Sequence, residues 1–426
     1  MRAGWLWKGL ASLLLLAPLM AAADLQAAWL AAAKREQPAL LASLREFCAI
    51  ESGSRDLDGL RRMAELLAAR LRALGGEVEF VEPAEVYRME DTPAELGRSV
   101  KAVFRGGGTK KLLLIAHMDT VYPAGTLARQ PFAIREDRAY GLGIADDKQG
   151  LAVVLHSLAL LKALDYRGYG QITVLFNADE ELSSPGSRAL LARLGAEADA
   201  VMSFEGSGAS NDKLSLATAG IASAQLTVHG RAAHAGGAPQ AGVNALYELA
   251  HQILQLRELG DPASGVRLNW TMAKAGVVRN MVPPLATAEA DVRVLRTQDY
   301  EALEQRLQQR IQFRLLPESR VELNFERRRP PLEASEAARA FGEHARKVYA
   351  ELGLALRVDA IAEGGGTDAA FAAQRTQAPV VERFGLRGAG AHSSDAEYIL
   401  VSSIVPRLYL AARMIAEFCE GRIRTP

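Results

Sequence analysis

The sequence predicts an α/β protein: a main domain with a largely parallel mixed sheet flanked by helices, interrupted by a smaller ferredoxin-like α+β domain. Three observations carry this. Buried-type apolar strands alternate with helical segments up to residue 214. Between residues 215 and 328 the signals follow the order β-α-β-β-α-β. Beyond residue 329 the α/β pattern resumes, so the chain returns to finish the domain it began. At 426 residues it is also too long for one small core. The divided main domain takes residues 24–214 and 329–426, and the insert takes 215–328.

Residues 1–23 read as a removable export signal. Arg2 and Lys8 supply positive charge, Leu10–Met20 is apolar but for Ser12 and Pro18, and Ala21-Ala22-Ala23 offers small residues for cleavage. The alternative, an uncleaved membrane anchor, wants roughly 18 or more apolar residues. No Cys follows the run, which gives no indication of a lipid anchor, and no later segment is long and apolar enough to span a bilayer. The expected location is periplasmic or secreted.

Leu25–Ile50 and Leu57–Leu74 have helical spacing, the second closing at Gly75-Gly76, a C-cap signature. Glu77–Glu82 has a strand pattern, and the charged, Pro-containing residues 83–98 read as a surface loop. Val100–Arg105 and Lys111–His117 are strands, the latter so continuously apolar that both faces should be covered. Gln149–Leu164 is helical, and Gln171–Asn177 and Ala200–Glu205 are further buried strands. In the insert, Ile221–His229, Arg267–Val278, Leu285–Leu295 and Arg320–Arg327 read as strands, with Val243–Leu259 and Tyr300–Leu315 as helices. Ser335–Leu352 and Ser402–Cys419 are the closing helices.

Lys and Arg total 50 and Asp and Glu total 50, so no cationic excess exists to carry nucleic-acid binding. Hydrophobic residues at 49% exclude a disordered tail protein. Cys48 and Cys419 lie in helix-like apolar patterns and read as two buried thiols, with a bridge left open.

Polar residues gather where buried strands end. Lys111–Ala116 runs into His117-Met118-Asp119-Thr120, Gln171–Phe176 into Asn177-Ala178-Asp179-Glu180-Glu181, and Val201–Phe204 into Glu205. Between them Gly141–Lys148 carries Asp146-Asp147 into a helix. Ligands of open α/β sheets bind at the carboxyl ends of strands. Asp119, Asp146, Glu180, Glu181 and Glu205 cannot all stay ionised together without counter-ions, and these motifs hold no matching Arg or Lys. Imidazole and carboxylate donors without thiolate suit two divalent cations sharing a carboxylate, zinc first, with cobalt or manganese as substitutes. Singly the pieces are weak: His117 reads as well as a capping histidine, and Glu180-Glu181 as a solvated loop tip. Their conjunction on successive strand ends is what points to metal.

These runs, with Val243-Asn244-Ala245-Leu246 and Gly364-Gly365-Gly366-Thr367-Asp368-Ala369-Ala370, resemble the di-zinc metallopeptidase family of aminoacylases, desuccinylases and carboxypeptidases. Within it the similarity is to exported bacterial glutamate carboxypeptidases that hydrolyse folates, the carboxypeptidase G type, and it covers essentially the whole mature chain. The resemblance implies that Asp146 bridges two Zn2+ per subunit, that His117 and Glu205 complete one, and that Glu181 and His392 complete the other. It implies that Asp119 fixes the tautomer of His117 and that the Asp146-Asp147 peptide is cis. Glu180 would be the general base, acting on a water whose pKa a metal lowers from 15.7 toward about 7. His234 in the insert would reach across a homodimer to the developing oxyanion. Asn280, Arg293 and Arg329, with Lys213 as a further candidate, would hold substrate carboxylates, a task for which the planar guanidinium is suited. His156, His229, His251 and His344 read as structural. One departure is visible: Gly206-Ser207-Gly208 follows Glu205 where relatives usually have Pro, which bears on selectivity for the acyl side.

The expected activity is therefore zinc-dependent hydrolysis of an amide bond, releasing a C-terminal amino acid, glutamate first, from folate-like or N-acyl amino-acid substrates. An aminoacylase, desuccinylase or dipeptidase is the alternative within the same chemistry. A non-catalytic binding protein on this scaffold is the alternative outside it. The expected partners are a small carboxylate-bearing substrate and a second copy of the chain, with neither nucleic acid nor, after signal removal, a membrane.

Overall fold

The computed structural model describes residues 8–261, 263–393 and 396–423, with side chains from Gln26 onward. Of the expected export signal, residues 1–7 lie outside the described residues, and over 8–23 only a helical backbone is described. Among the described residues no helix is long and apolar enough to cross a membrane.

In chain order the elements begin with α1 (Lys8–Cys48), α2 (Leu57–Leu74), β1 (Glu77–Val81), β2 (Ser99–Arg105) and β3 (Lys111–His117). There follow β4 (Ala133–Arg135), β5 (Arg138–Tyr140), α3 (Gln149–Ala163), β6 (Gln171–Asn177), α4 (Arg188–Glu197), β7 (Ala200–Ser203) and β8 (Lys213–Ser215). The inserted run is β9 (Gly220–His229), α5 (Ala245–Leu256), β10 (Arg267–Ala275), β11 (Leu285–Val294), α6 (Thr297–Arg310) and β12 (Arg320–Arg329). The chain closes with α7 (Glu336–Ala350), β13 (Arg357–Asp359), α8 (Ala369–Ala372), β14 (Val380–Val381), β15 (Gly388–Ala389), β16 (Tyr398–Leu400) and α9 (Ile404–Cys419).

The main sheet has the order β1-β2-β6-β3-β7-β14. β6, β3, β7 and β14 are mutually parallel, and β2 runs against both its neighbours. β3 explains its own apolar run. Leu112, Leu114 and Ala116 join the core built with α1, α3 and α9, while Leu113 and Ile115 join a second cluster with Leu191 of α4 and Ala370 of α8. A strand covered on both faces has no polar side to keep.

The inserted strands form a separate antiparallel sheet, β10-β11-β9-β12, the ferredoxin-like order. Ala222, Ala224, Leu226 and Val228 of β9 pack on Leu249 and Leu256 of α5 and Leu303 and Leu307 of α6, a core of its own. The alternate residues Ile221 and Ser223 face the cleft described below.

Element ends differ from expectation for local reasons. α5 starts after Asn244, whose side chain accepts from the amides of Leu246 and Tyr247. β10 stops at Ala275 rather than Val278, because Gly276 turns the chain with φ +73°. α6 ends at Arg310 rather than Leu315, and the amides of Leu315 and Leu316 turn to the buried Glu248 carboxylate instead. Two small pairings escaped the sequence: a sheet β15-β16-β5-β4 and the parallel pair β8–β13. Cys48 and Cys419 are both free thiols, Cys48 buried and Cys419 half-buried, and burial pushes each up to about 12.

Candidate metal centre

Three parallel strands deliver the acidic side chains to one edge of the main sheet. β3 ends at His117, the turn after β6 carries Glu180 and Glu181, and Glu205 lies two residues beyond β7. The segment before α3 supplies Asp146, whose peptide to Asp147 is cis. Asp146 stands between two imidazoles: Oδ1 is 3.0 Å from His117 Nε2 and Oδ2 is 3.2 Å from His392 Nε2. His117 Nε2 is also 3.5 Å from Glu205 Oε1, and His392 Nε2 is 3.3 Å from Glu181 Oε2. His392 comes from the returning chain, in a left-handed conformation (φ +62°). Two groups of donor atoms result, His117 with Glu205 and His392 with Glu181, and the Asp146 carboxylate reaches both. The buried Asp147 lies near the first group as well, within reach of His117 and Glu205.

The donor set passes a test for divalent cations. Several carboxylates sit together with two histidines and no thiol, and one arginine, Arg329, reaches them. Among the described residues, the buried Oε1 of Glu181 has no hydrogen-bond partner. Left to protons, the group is electrostatically frustrated. Burial pushes Glu181 up to about 7 and Glu180 well above its ordinary value. Burial opposes charge on His117 too, but its contacts with Asp119, Asp146 and Glu205 hold it well above the usual imidazole range. His392 is raised to about 10 by Asp146 and Glu181. Cations of charge two would satisfy the same oxygens and nitrogens without protons.

Around these groups lies a positioning layer. Asp119 was expected to hold the second nitrogen of His117. That Nδ1 lies 3.0 Å from the Asp119 main-chain oxygen and 3.4 Å from its carboxylate. The carboxylate mainly accepts from the amides of Glu180 (3.0 Å) and Glu181 (3.1 Å) and from Ser54 Oγ (2.8 Å), so it sets the Glu180–Glu181 turn as well. Glu397, which sequence reasoning missed, is buried and accepts from Tyr122 Oη and the amides of Gly143, Ala145 and Asp146 at 2.7–3.0 Å. It pins the segment that carries Asp146.

A cleft of about 870 Å³ opens over the acidic groups, with the inserted sheet as one wall and the main body as the other. Arg293 lines it, held by Asp291 at 2.9 Å and donating to the Gly364 carbonyl at 3.2 Å. Arg329 lines it too, but is buried and already engaged: Nη2 is 2.8 Å from Glu180 Oε1 and Nη1 is 3.1 Å from Asp368. It stands here as the partner of Glu180. Lys213 pairs with Glu363 and is not among the cleft-lining residues. Neither are His234 or Asn280. His234 is exposed in the insert, its Nδ1 accepting from the amides of Gly236 and Gly237, and the Asn280 carbonyl accepts from the amide of Ala235. The four histidines read as structural make local contacts: His156 with Ser43 and Glu36, His344 with Glu417, His229 with Glu322 and His251 with the Phe313 carbonyl.

Comparison with known proteins agrees with this geometry. Residues 113–417 match Peptidase family M20/M25/M40. The chain is 44% identical over 391 residues to Carboxypeptidase G2 of Pseudomonas sp. (strain RS-16), covering 92% of each. It is 28% identical over 358 residues to a succinyl-diaminopimelate desuccinylase of Gluconobacter oxydans, covering 79% of this chain and 88% of the other. Among solved structures, an M20 family metallo-carboxypeptidase from Sulfolobus solfataricus shares the fold with a TM-score of 0.71 at 18% identity, over 89% of this chain and 98% of that one. Taken with the paired His–carboxylate groups at the sheet edge, these matches mean that the chain belongs to Peptidase family M20/M25/M40 and is a metallopeptidase, a hydrolase of amide bonds.

Proposed function

We propose that this metallopeptidase is a carboxypeptidase that releases a C-terminal glutamate from folate-like or N-acyl substrates, with Glu180 as general base. The observation that carries the reading is the Asp146 carboxylate set between His117 and His392, with Glu180 buried beside it. His117, Asp146 and Glu205 would hold one divalent ion and Asp146, Glu181 and His392 a second, zinc first among the candidates. When bound, such ions acidify a water and polarise the scissile carbonyl.

The remaining work belongs to the chain. Glu180 is tethered by Arg329 through Oε1, and among the described residues its Oε2 makes no hydrogen bond. That oxygen is available to take a proton from the attacking water and hand it to the departing nitrogen. The Asp119 carboxylate, by holding the Glu180 and Glu181 amides, keeps base and ligand aimed in different directions. Arg293 would receive a carboxylate of the departing amino acid. We assign residues 24–214 and 329–426 to the catalytic domain and 215–328 to a lid that also dimerises. His234 and Asn280, remote from the cleft of their own chain, would act in the partner's site, with Lys213 as a further carboxylate contact. Export after cleavage of residues 1–23 would place the enzyme in the periplasm or medium.

The test is a substrate panel on the metal-loaded protein: folate and p-aminobenzoyl-glutamate, acetylated amino acids, and dipeptides. Glutamate release from the first two, abolished by a chelator and restored by zinc, is the expected result. Cleavage of dipeptides alone would overturn the specificity.

A further inference from the structure

Among the described residues four arginines line the cleft, and three have carboxylate partners: Arg293 with Asp291, Arg328 with Asp91 and Glu326, and Arg329 with Glu180 and Asp368. Arg383 differs. Among the described residues no carboxylate oxygen lies within 4 Å of its guanidinium, whose one protein contact is Nη1 donating to the Gly206 carbonyl at 2.6 Å. The side chain is half-buried and lines the cleft. The backbone is fixed on both sides: its amide donates to Glu382 at 3.0 Å and its carbonyl accepts from the buried Arg407 at 3.1 Å. It also holds a left-handed φ of +72°, which favours glycine, yet an arginine stands there.

The position tells which part of a substrate this cation would meet. Gly206 directly follows Glu205, so Arg383 sits beside the acidic groups on the main-body wall, across the cleft from Arg293 on the inserted sheet. An amide placed at the acidic groups with its departing amino acid toward Arg293 sends its acyl group along the other wall. That wall is built of small residues, Gly206, Gly208, Gly388 and Ala389, which leave room beside the guanidinium. A half-buried arginine with unused donors in a fixed fork is suited to a carboxylate.

We infer that Arg383 is a specificity-determining residue that selects substrates carrying a second carboxylate on the acyl side, such as N-succinyl or N-terminal acidic groups. The inference rests on the carboxypeptidase reading for its orientation of the substrate. It places the selectivity of the unusual Gly206-Ser207-Gly208 loop in the residue that braces it.

The experiment compares kcat/KM of the zinc-loaded enzyme for N-succinyl-glutamate and N-butanoyl-glutamate, which match in chain length and differ in the terminal carboxylate. The succinyl substrate should be favoured at least tenfold, Arg383→Gln should reduce that ratio at least tenfold, and Arg383→Lys should retain part of it. Calorimetric titration of succinate and butanoate into the same proteins reads the site without turnover: succinate should bind at least tenfold more tightly, and Arg383→Gln should erase the difference. Failure to release glutamate from either substrate, with the succinate preference intact, would sink the glutamate reading alone. Equal affinities for succinate and butanoate, or a preference unchanged in Arg383→Gln, would overturn the role of Arg383.

Discussion

Glu180 is buried, raised by desolvation, and tied to one cation, the kind of environment in which functional carboxyl groups are found. Glu180→Ala removes the acceptor and leaves the His and carboxylate donors in place. It should lower kcat by about 10²–10⁴-fold, the range for a general base, while metal content by elemental analysis stays at the wild-type level. Unchanged turnover would take Glu180 out of the mechanism. A second buried acid tests stability rather than catalysis. Burial pushes Glu417 up, but hydrogen bonds from His344 and Arg413 outweigh it and hold the carboxyl at about 2, below its ordinary 4.5. A depressed pKa stabilises the folded state fully above the unfolded value and loses that contribution as pH falls from 4.5 toward 2. Glu417→Gln should therefore cost on the order of 1–3 kcal/mol in urea denaturation near pH 7, and the gap to wild type should close in acid. A gap independent of pH would assign Glu417 a packing role only.

Among elements, the short strands matter more than their length suggests. β16 follows directly on Glu397 and pairs with β5 and β15, which fixes Glu397 against the Gly143–Asp146 amides. Its role resembles that of the groups that orient metal ligands elsewhere, whose loss typically weakens metal binding by about 10–100-fold. Glu397→Ala should show a weakening of that size in competition with a zinc-chelating dye, with native circular dichroism retained. Metal affinity equal to wild type would show that Asp146 needs no such support. Helices α1 and α3 are joined by a relay of Ser43 Oγ to His156 Nε2 at 2.8 Å and His156 Nδ1 to Glu36 at 2.7 Å. The spacing is that of a nucleophile, base and acid, but Ser43 is 2% exposed between helices, so the relay is an interhelical clamp.

At the scale of the molecule, the main body and the insert each have their own core, and the cleft lies between them. Polar contacts cross between them: Arg328 grips Asp91 from the 83–98 loop at 2.8 Å, and Arg188 donates to the Arg328 carbonyl at 2.8 Å. The insert meanwhile exposes Leu246, Tyr247 and Leu254 on α5 and Met272 on β10, an apolar surface suited to a second copy. Light scattering should give a dimer mass for the zinc-loaded protein, and Tyr247→Glu should shift it toward monomer and lower turnover together. A fully active monomer would exclude action of His234 in a partner's site.

The chain's periodicity and its polar strand ends by themselves determined the α/β class, the insert, and the gathering of His117, Asp146, Glu180, Glu181 and Glu205. Those residues are legible because each ends, or closely follows, an apolar run that local physics makes a strand or opens a buried helix. His392 was reached only through resemblance, since nothing in its own neighbourhood marks it. The tertiary structure alone decided that Arg329 serves Glu180, that Glu397 pins the Asp146 segment, that Arg383 has no carboxylate partner among the described residues, and that two- and three-residue strands build a sheet. These are contacts between segments up to about 250 residues apart. A pairing at that distance leaves no period in the sequence, because it depends on where the packed cores bring the backbone, not on neighbours along the chain.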